Sequence, residues 1–394
     1  MTTASSQLEG ASSPIGEGAK RLLLILAALA AVFAVSLFAG ARYGLLLAIG
    51  LGFGITLEGL HFGFAGPWRA MILRREPAGL LAQLLAIGLV ALVAFPLLQS
   101  HPGELGGAEA PVGWAMVGGA FVFGAAMQVI LGCGSGTLVN AGSGNAVSLV
   151  ALPFFCLGSF LGAAHLLWWT DLGALPIIVL RGTSGLLVTL GLLAAVALVV
   201  FLIGKPGTRK LPPRLIFAAL LLAALAVGNL VVAGQPWGVV YGLGLWAAKG
   251  AVALGADLSG NGFWGAPGNA ARLQASILTD VTSLTNIGII LGAFLVAAWR
   301  RHGLSQPLPK LPARAWGAAI VAGLVKAPSS YSPTADVQAA IVSTTATMIR
   351  AICSPSPSGM PNSVENPTES STTPMPMEVA TPNTVPIRAM LSIR

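Results

Sequence analysis

Charge is what this sequence has least of. Asp, Glu, Lys and Arg make up 9% of its 394 residues, where a soluble domain carries about a quarter. A surface that meets water on every side is therefore excluded. Cysteine is scarce too. Cys133, Cys156 and Cys353 stand far apart, with no CxxC or Cys/His spacing, so neither a zinc site nor a disulfide framework is supported. No Lys-Ser or Lys-Thr completes the glycine-rich loop at 132–136, which excludes a Walker A phosphate loop, and GxG alone is no sign of a dinucleotide. The net charge of +8 does not indicate nucleic acid, because the basic residues fall in short loops between apolar runs, where they set membrane orientation.

What the chain does have is apolar length. Hydrophobic residues make up 55% of it, and about 20 in a row suffice to cross the hydrocarbon core. Runs of that size lie at 22–41, 43–64, 79–98, 112–131, 146–169, 183–204, 215–234, 237–256 and 276–299, and a tenth begins near Ala315 and stops by Val325. The pattern predicts an all-α polytopic membrane protein of about nine transmembrane helices in a lipid bilayer. Fifty glycines fit helices that approach backbone to backbone. The apolar stretch after Lys20-Arg21 is longer than a signal-peptide core, which predicts an uncleaved helix.

The basic loops orient the chain. Lys20 and Arg21, then Arg69, Arg74 and Arg75, then Lys205, Arg209, Lys210 and Arg214 fall on one side, predicted inside. The loop with His101, Glu104 and Glu109 has no Lys or Arg and fits outside. Nine full spans would then strand Arg300, Arg301, Lys310 and Arg314 outside. One segment that enters and returns on the same side restores the parity. The stretch 255–275, broken by Gly255, Gly260, Gly262, Gly265, Pro267 and Gly268, is the expected one.

An internal repeat is also expected. Tyr43-Gly44 and Gly50-Leu51 resemble Trp237-Gly238 and Gly244-Leu245, and Ala115-Met116-Val117-Gly118-Gly119 resembles Ala319-Ile320-Val321-Ala322-Gly323. The common order at a similar offset points to a two-repeat architecture with re-entrant glycine-rich segments. The second repeat reads as truncated, because from Lys326 onward Ser, Thr and Pro dominate and Gly359 is the lone glycine. Such a composition does not bury enough apolar surface to order itself. The expected divisions are a polar N-terminal segment 1–20, a transmembrane transport domain 21–325 and a low-complexity tail 326–394. Two readings of the tail stay open: a genuine disordered extension, or a shifted reading frame that replaces the end of the repeat.

The most informative stretch is Gly132-Cys133-Gly134-Ser135-Gly136-Thr137, followed by Ala141-Gly142-Ser143-Gly144-Asn145. Irregular backbone at membrane depth persists only where it is buried in protein or lines a wet cavity. A thiol is polarizable and a weak donor, suited to a soft sulfur terminus. Gly132, Gly134 and Gly136 let backbone N–H groups converge on an anion, and a helix starting there adds its positive end. Ser135, Thr137, Asn140 and Asn145 supply side-chain donors. The competing reading is a helix-packing bend with an inert cysteine.

Ionisable groups in or beside a span are the next candidates. Glu58 and His61, three apart, are expected on one helix face, paired or carrying a proton. Arg69 is expected at the inner mouth, as an anion attractor or an interfacial anchor. Lys249, Asp257, Arg272 and Asp280 read as a buried ion pair or as substrate contacts. His165 beside Trp168 and Trp169 reads as interfacial belt, and Cys156 as packing. A remote alternative makes Ser135 and His165 the dyad of an intramembrane serine hydrolase; thirty residues between them put His165 at the far end of a span.

The loop Leu131-Gly132-Cys133-Gly134-Ser135-Gly136-Thr137-Leu138 with Ala141–Asn145 resembles the YeeE/YedE family of sulfur-compound transporters. Gly52-Phe53-Gly54, Phe62-Gly63-Phe64 and Trp68-Arg69 are similar to that family's first motif, and Thr282–Gly288 running into Gly292-Ala293 to its late transmembrane segment. The resemblance covers residues 40–325. It implies uptake of thiosulfate or a related small sulfur-containing anion across the inner membrane, along a central route marked by cysteine thiols, with no enzyme activity, cofactor, metal or nucleic acid. It also allows a small soluble sulfurtransferase that receives the cargo. Cys133 matches one of the thiols. Gly63 stands where many members carry the first motif's cysteine, and the second repeat's cysteine would fall in the tail, where Cys353 lacks matching surroundings. These departures keep a second alternative open: a non-transporting or decayed structural or regulatory member of the family.

Overall fold

Apolar runs become helices here because backbone groups in hydrocarbon have only each other to bond. The computed structural model describes residues 16–107, 113–130, 132–173, 179–300 and 313–326. The helices are α1 (Glu17–Phe38), α2 (Ala41–Gly59), α3 (Ala65–Arg74), α4 (Ala78–Ser100), α5 (Trp114–Ile130), α6 (Gly134–Gly142), α7 (Ala146–Ala164), α8 (Leu166–Asp171), α9 (Gly182–Ile203), α10 (Pro213–Ala233), α11 (Val239–Ala253), α12 (Pro267–Gln274), α13 (Val281–Arg300) and α14 (Ala313–Lys326). Their limits follow local chemistry. Pro213 occupies the first position of α10, where its missing N–H costs nothing. Gly234 ends the same helix in the left-handed conformation, φ 73°.

Eight spans among the described residues are long and apolar enough to cross a membrane, α5 and α6 together making one of them. The chain is thus an all-α, multi-pass membrane protein, with one span fewer than the run lengths predict. The missing one is 237–256. It yields only the 15-residue α11, about 22 Å long against a hydrocarbon core of about 30 Å.

The centre is the parallel pair α2 and α13, the most extensive helix contact in the fold. Glycines face glycines along this seam. A Cβ on Gly50 would lie 2.5 Å from the Thr285 carbonyl oxygen and 2.9 Å from the Gly288 Cα. One on Gly54 would lie 2.8 Å from the Ala293 nitrogen and 2.9 Å from the Gly292 Cα. Around this pair, α10 covers α2, and α4 lies between α9 and α10. On the other side α6 covers α13, and α7 contacts α6, α11 and α14. The central apolar cluster joins Phe53, Leu138, Phe155, Leu243 and Ile289.

Side-chain and loop contacts define the two ends of the bundle. At one, the Arg300 guanidinium donates to the Glu58 and Gly59 carbonyls, the Lys205 N–H to Arg75 at 2.8 Å, and Arg21 lies 5.0 Å from the Trp299 ring centroid. The basic loops expected inside meet there, and Arg300 joins them. At the opposite end Arg42 donates to the Val232 and Ala233 carbonyls at 2.8 and 2.9 Å, and Gly106 to Gly234 at 2.8 Å.

These contacts relocate the re-entrant segment. After α10 ends beside Arg42, the chain turns inward until the Trp237 ring stacks on Phe53, 4.7 Å between centroids. There α11 begins, and it returns to the end it came from: Trp246 Nε1 donates to Ser283 Oγ, and Lys249 Nζ to the Leu273 and Ala275 carbonyls. The segment that dips is therefore 234–253, not 255–275. The latter forms α12 and its flanking turns at the opposite end. With α11 as a half-span, α13 starts where α10 stopped, and Arg300 reaches the basic end.

The expected repeat would pair α2, α3, α4 and α5 with α11, α12, α13 and α14 in chain order. Packing does not follow, since α2 lies on α13 and α11 on α7. Glu109, Cys353, the rest of the tail beyond Lys326 and the frame-shift reading lie outside the described residues.

Candidate functional site

The glycine–cysteine stretch breaks one membrane-length segment into α5 and α6. The Gly132 N–H still reaches back to the Met127 carbonyl at 3.2 Å; then Cys133 turns extended and caps α6. Its sulfur accepts from the Gly136 N–H at 3.4 Å and lies 3.2 Å from Ser135 Oγ. Thr137 returns both its hydroxyl (2.8 Å) and its N–H (2.9 Å) to the Cys133 carbonyl. Gly132 has to be glycine, because a Cβ there would sit 2.8 Å from the Gly136 carbonyl carbon. Gly134, Ser135 and Thr137 are buried, and Cys133 and Gly136 partly exposed. The bend thus combines a partly exposed cysteine, a positive helix end and two buried hydroxyls.

The remaining donors behave differently. Asn140 is partly buried on α6. Asn145 is exposed and caps α7, its Oδ1 accepting from the Ser148 N–H at 3.1 Å. Asn145 therefore holds the turn from α6 to α7 and does not face Cys133's end of α6.

Sequence reasoning passed over a second polar cluster. Thr282, Ser283, Thr285 and Asn286 are all at most 2% exposed on the apolar α13. Asn286 Oδ1 accepts from Trp237 Nε1 at 3.2 Å, and its Nδ2 donates to the Val239 carbonyl at 3.0 Å. Thr285 Oγ1 donates to Asn229 Oδ1 at 3.0 Å. Opposite, α7 buries the Ser148 and Ser159 hydroxyls, which have no partner among the described residues. The signal was available: four polar side chains inside one span demand partners. Asn286 is what holds the tip of the half-span α11 in the interior. Asn286→Ala leaves the Trp237 indole N–H unpaired, at about 1–3 kcal/mol, and removes the second donor to the Val239 carbonyl. A thermal melt of the purified variant is expected to fall well below wild type, and an unchanged melt would refute this role.

Glu58 and His61 do not share a helix face. α2 stops at Gly59, and His61 takes φ 51°. Instead His61 Nε2 lies 3.3 Å from Arg300 Nη1. Partial burial and the Arg300 and Arg214 charges hold its imidazole below the ordinary value, which favours the neutral ring. Arg69, partly buried on α3, forms no hydrogen bond or ion pair with a described residue. Gly63, at the position of the absent thiol, gives its carbonyl to Gln83 Nε2 at 2.9 Å. Cys156 packs at the edge of the central cluster.

At the opposite end no Lys–Asp pair forms among the described residues. Lys249 caps the C-terminus of α12, and Asp257 accepts from the Ser259 N–H. Asp280, buried, accepts from Thr282 Oγ1 and the Ser283 N–H, both at 2.7 Å. Arg272 lies over the Tyr241 ring. Two cavities open here, of about 80 and 160 Å³, and neither is lined by the 132–137 bend. The serine-hydrolase dyad is not assembled: His165 Nδ1 bonds its own helix at Leu161, and Ser135 Oγ bonds Cys133 Sγ.

Residues 61–325 match the family model described as sulphur transport. No curated protein matched the chain.

Proposed function

The chain belongs to the sulphur-transport family, and on that premise we propose that it carries thiosulfate, or a related small sulfur-containing anion, across the inner membrane past the thiol of Cys133. The observation that carries this reading is the partly exposed Cys133 at the N-terminus of α6, inside a span that glycines have broken. A dehydrated anion needs donors in place of water. The Gly134 and Ser135 N–H groups at the start of α6 and the Ser135 hydroxyl provide them. The sulfur adds a soft, polarizable contact that tells a sulfane sulfur from an oxygen. At the basic end Arg69 and its neighbours draw the anion inward, and Glu58 and His61 border that mouth. The same end suits handover to a small soluble sulfurtransferase. Residues 21–325 are the transport domain in this reading.

Transport is tested in a host that has lost sulfate uptake and is given thiosulfate as sole sulfur source. The full chain is expected to restore growth, with labelled thiosulfate accumulating in the cells. Normal expression with neither growth nor accumulation would overturn transport of this anion and favour the non-transporting alternative.

A further inference from the structure

We propose that Arg272 and the cavity beside it form an outer capture site for a small divalent sulfur oxyanion, the first contact of the substrate before it enters the protein. The inference rests on the transport reading above. The cavity, about 80 Å³, is lined by Arg272, Ala275, Thr279, Asp280 and Val281. That is several times the roughly 10–15 Å³ of such space that one water needs, which leaves room for a small anion where chain and solvent meet.

Arg272 is the cation of this cavity and is not consumed by structure. Its guanidinium lies 5.1 Å from the Tyr241 ring centroid, interacts with the Tyr241 side chain and donates a long hydrogen bond, 3.4 Å, to Gln235 Oε1. No ion pair holds it among the described residues. A planar guanidinium stacked on an aromatic keeps its remaining N–H groups for a bidentate oxyanion. Asp280 is the one like charge that an incoming anion meets in the lining. Its carboxylate is already turned to Thr282 Oγ1 and to the Ser283 N–H at the start of α13, where the helix end offsets its charge. The location is also right. Tyr241, under the guanidinium, lies two residues along α11 from Val239 and four residues along the chain from Trp237, the groups that Asn286 holds in the interior. Capture at Arg272 delivers the anion to the head of α11.

The test is the kinetics of thiosulfate uptake into proteoliposomes at low salt. Arg272→Gln is expected to raise the half-saturating concentration about tenfold, the scale of one unit charge on a dianion at contact range in a water-like medium, with the maximal rate close to wild type. Arg272→Lys is expected to recover most of the loss. Thr279, exposed on the rim, gives a pair that folding damage does not imitate: Thr279→Lys lowers the half-saturating concentration and Thr279→Glu raises it. High salt is expected to shrink all of these differences. Wild-type uptake with half-saturation unmoved by Arg272→Gln and by both Thr279 variants overturns the capture site alone. No saturable uptake by the wild type overturns the parent reading and the capture site with it.

Discussion

Gly54→Val is expected to abolish the folded protein. The seam between α2 and α13 places the Gly54 Cα where a side chain would run into the Ile289 carbonyl oxygen, the Ala293 nitrogen and the Gly292 Cα. None of these is the end of a flexible side chain, so relief requires the two central helices to move apart. Overpacking a core costs about 1–3 kcal/mol where neighbours yield; here the neighbours are backbone, and the cost reaches or passes that range. The whole fold hangs on this pair, because α1, α6 and α10 pack directly on α2 or α13. Native proteins hold only about 5–15 kcal/mol in reserve. The informative control is Gly118→Ala on α5, where an added Cβ meets nothing within 4 Å and helix propensity gains up to about 1 kcal/mol. Size-exclusion profiles and melts of the detergent-solubilised proteins separate the two. A monodisperse Gly54→Val protein melting with the wild type would refute the tight seam.

This seam also marks where the sequence is readable. Run length reports spans faithfully, because a helix that faces lipid must be apolar along its whole length. It fails at α11, since an apolar residue at the tip of a half-span is buried by protein and looks no different from one buried by lipid. The basic residues carried the correction. Arg300 strands on the wrong side if every run crosses, and the parity conflict already demanded a returning segment. Gly234 and Pro236, at the turn between α10 and α11, were the local clue to which one it is. Broken glycine content drew attention to 255–275 instead, a stretch that needs no special pleading once it lies outside the hydrocarbon.

The candidate site divides in the same way. Cys133 with its flanking glycines was legible because a backbone break in a span is locally anomalous. Asn145 is a different case: an Asn just before an apolar run is an N-cap signal, and the structure uses it as one. The Glu58–His61 pairing assumed a helix continuing past Gly59, where the chain in fact turns left-handed at His61. Asn286 and its polar neighbours sit in a motif visible in the sequence, but their partners Trp237, Val239 and Asn229 lie about 50 residues away. Only tertiary contact reveals that they pin the half-span.

The function rests most heavily on Cys133, and two substitutions separate its roles. Cys133→Ser keeps an acceptor at the position that now takes the Gly136 N–H at 3.4 Å, so the start of α6 stays capped. What it removes is the large, polarizable sulfur. Cys133→Ala removes both, and losing a cap costs about 0.5–2 kcal/mol. If the residue is only a cap, Ser is expected to behave as wild type and Ala to be somewhat less stable yet active. If the thiol meets the substrate, both lose thiosulfate uptake by at least tenfold, about 1.4 kcal/mol at the transition state, while Ser melts with the wild type. The second pattern is the expected one. Cys156, packed at the edge of the central cluster, provides the internal comparison, since Cys156→Ala is expected to keep wild-type uptake. Full uptake by Cys133→Ser would leave the bend as a capped helix start and would move the substrate's route elsewhere in the bundle.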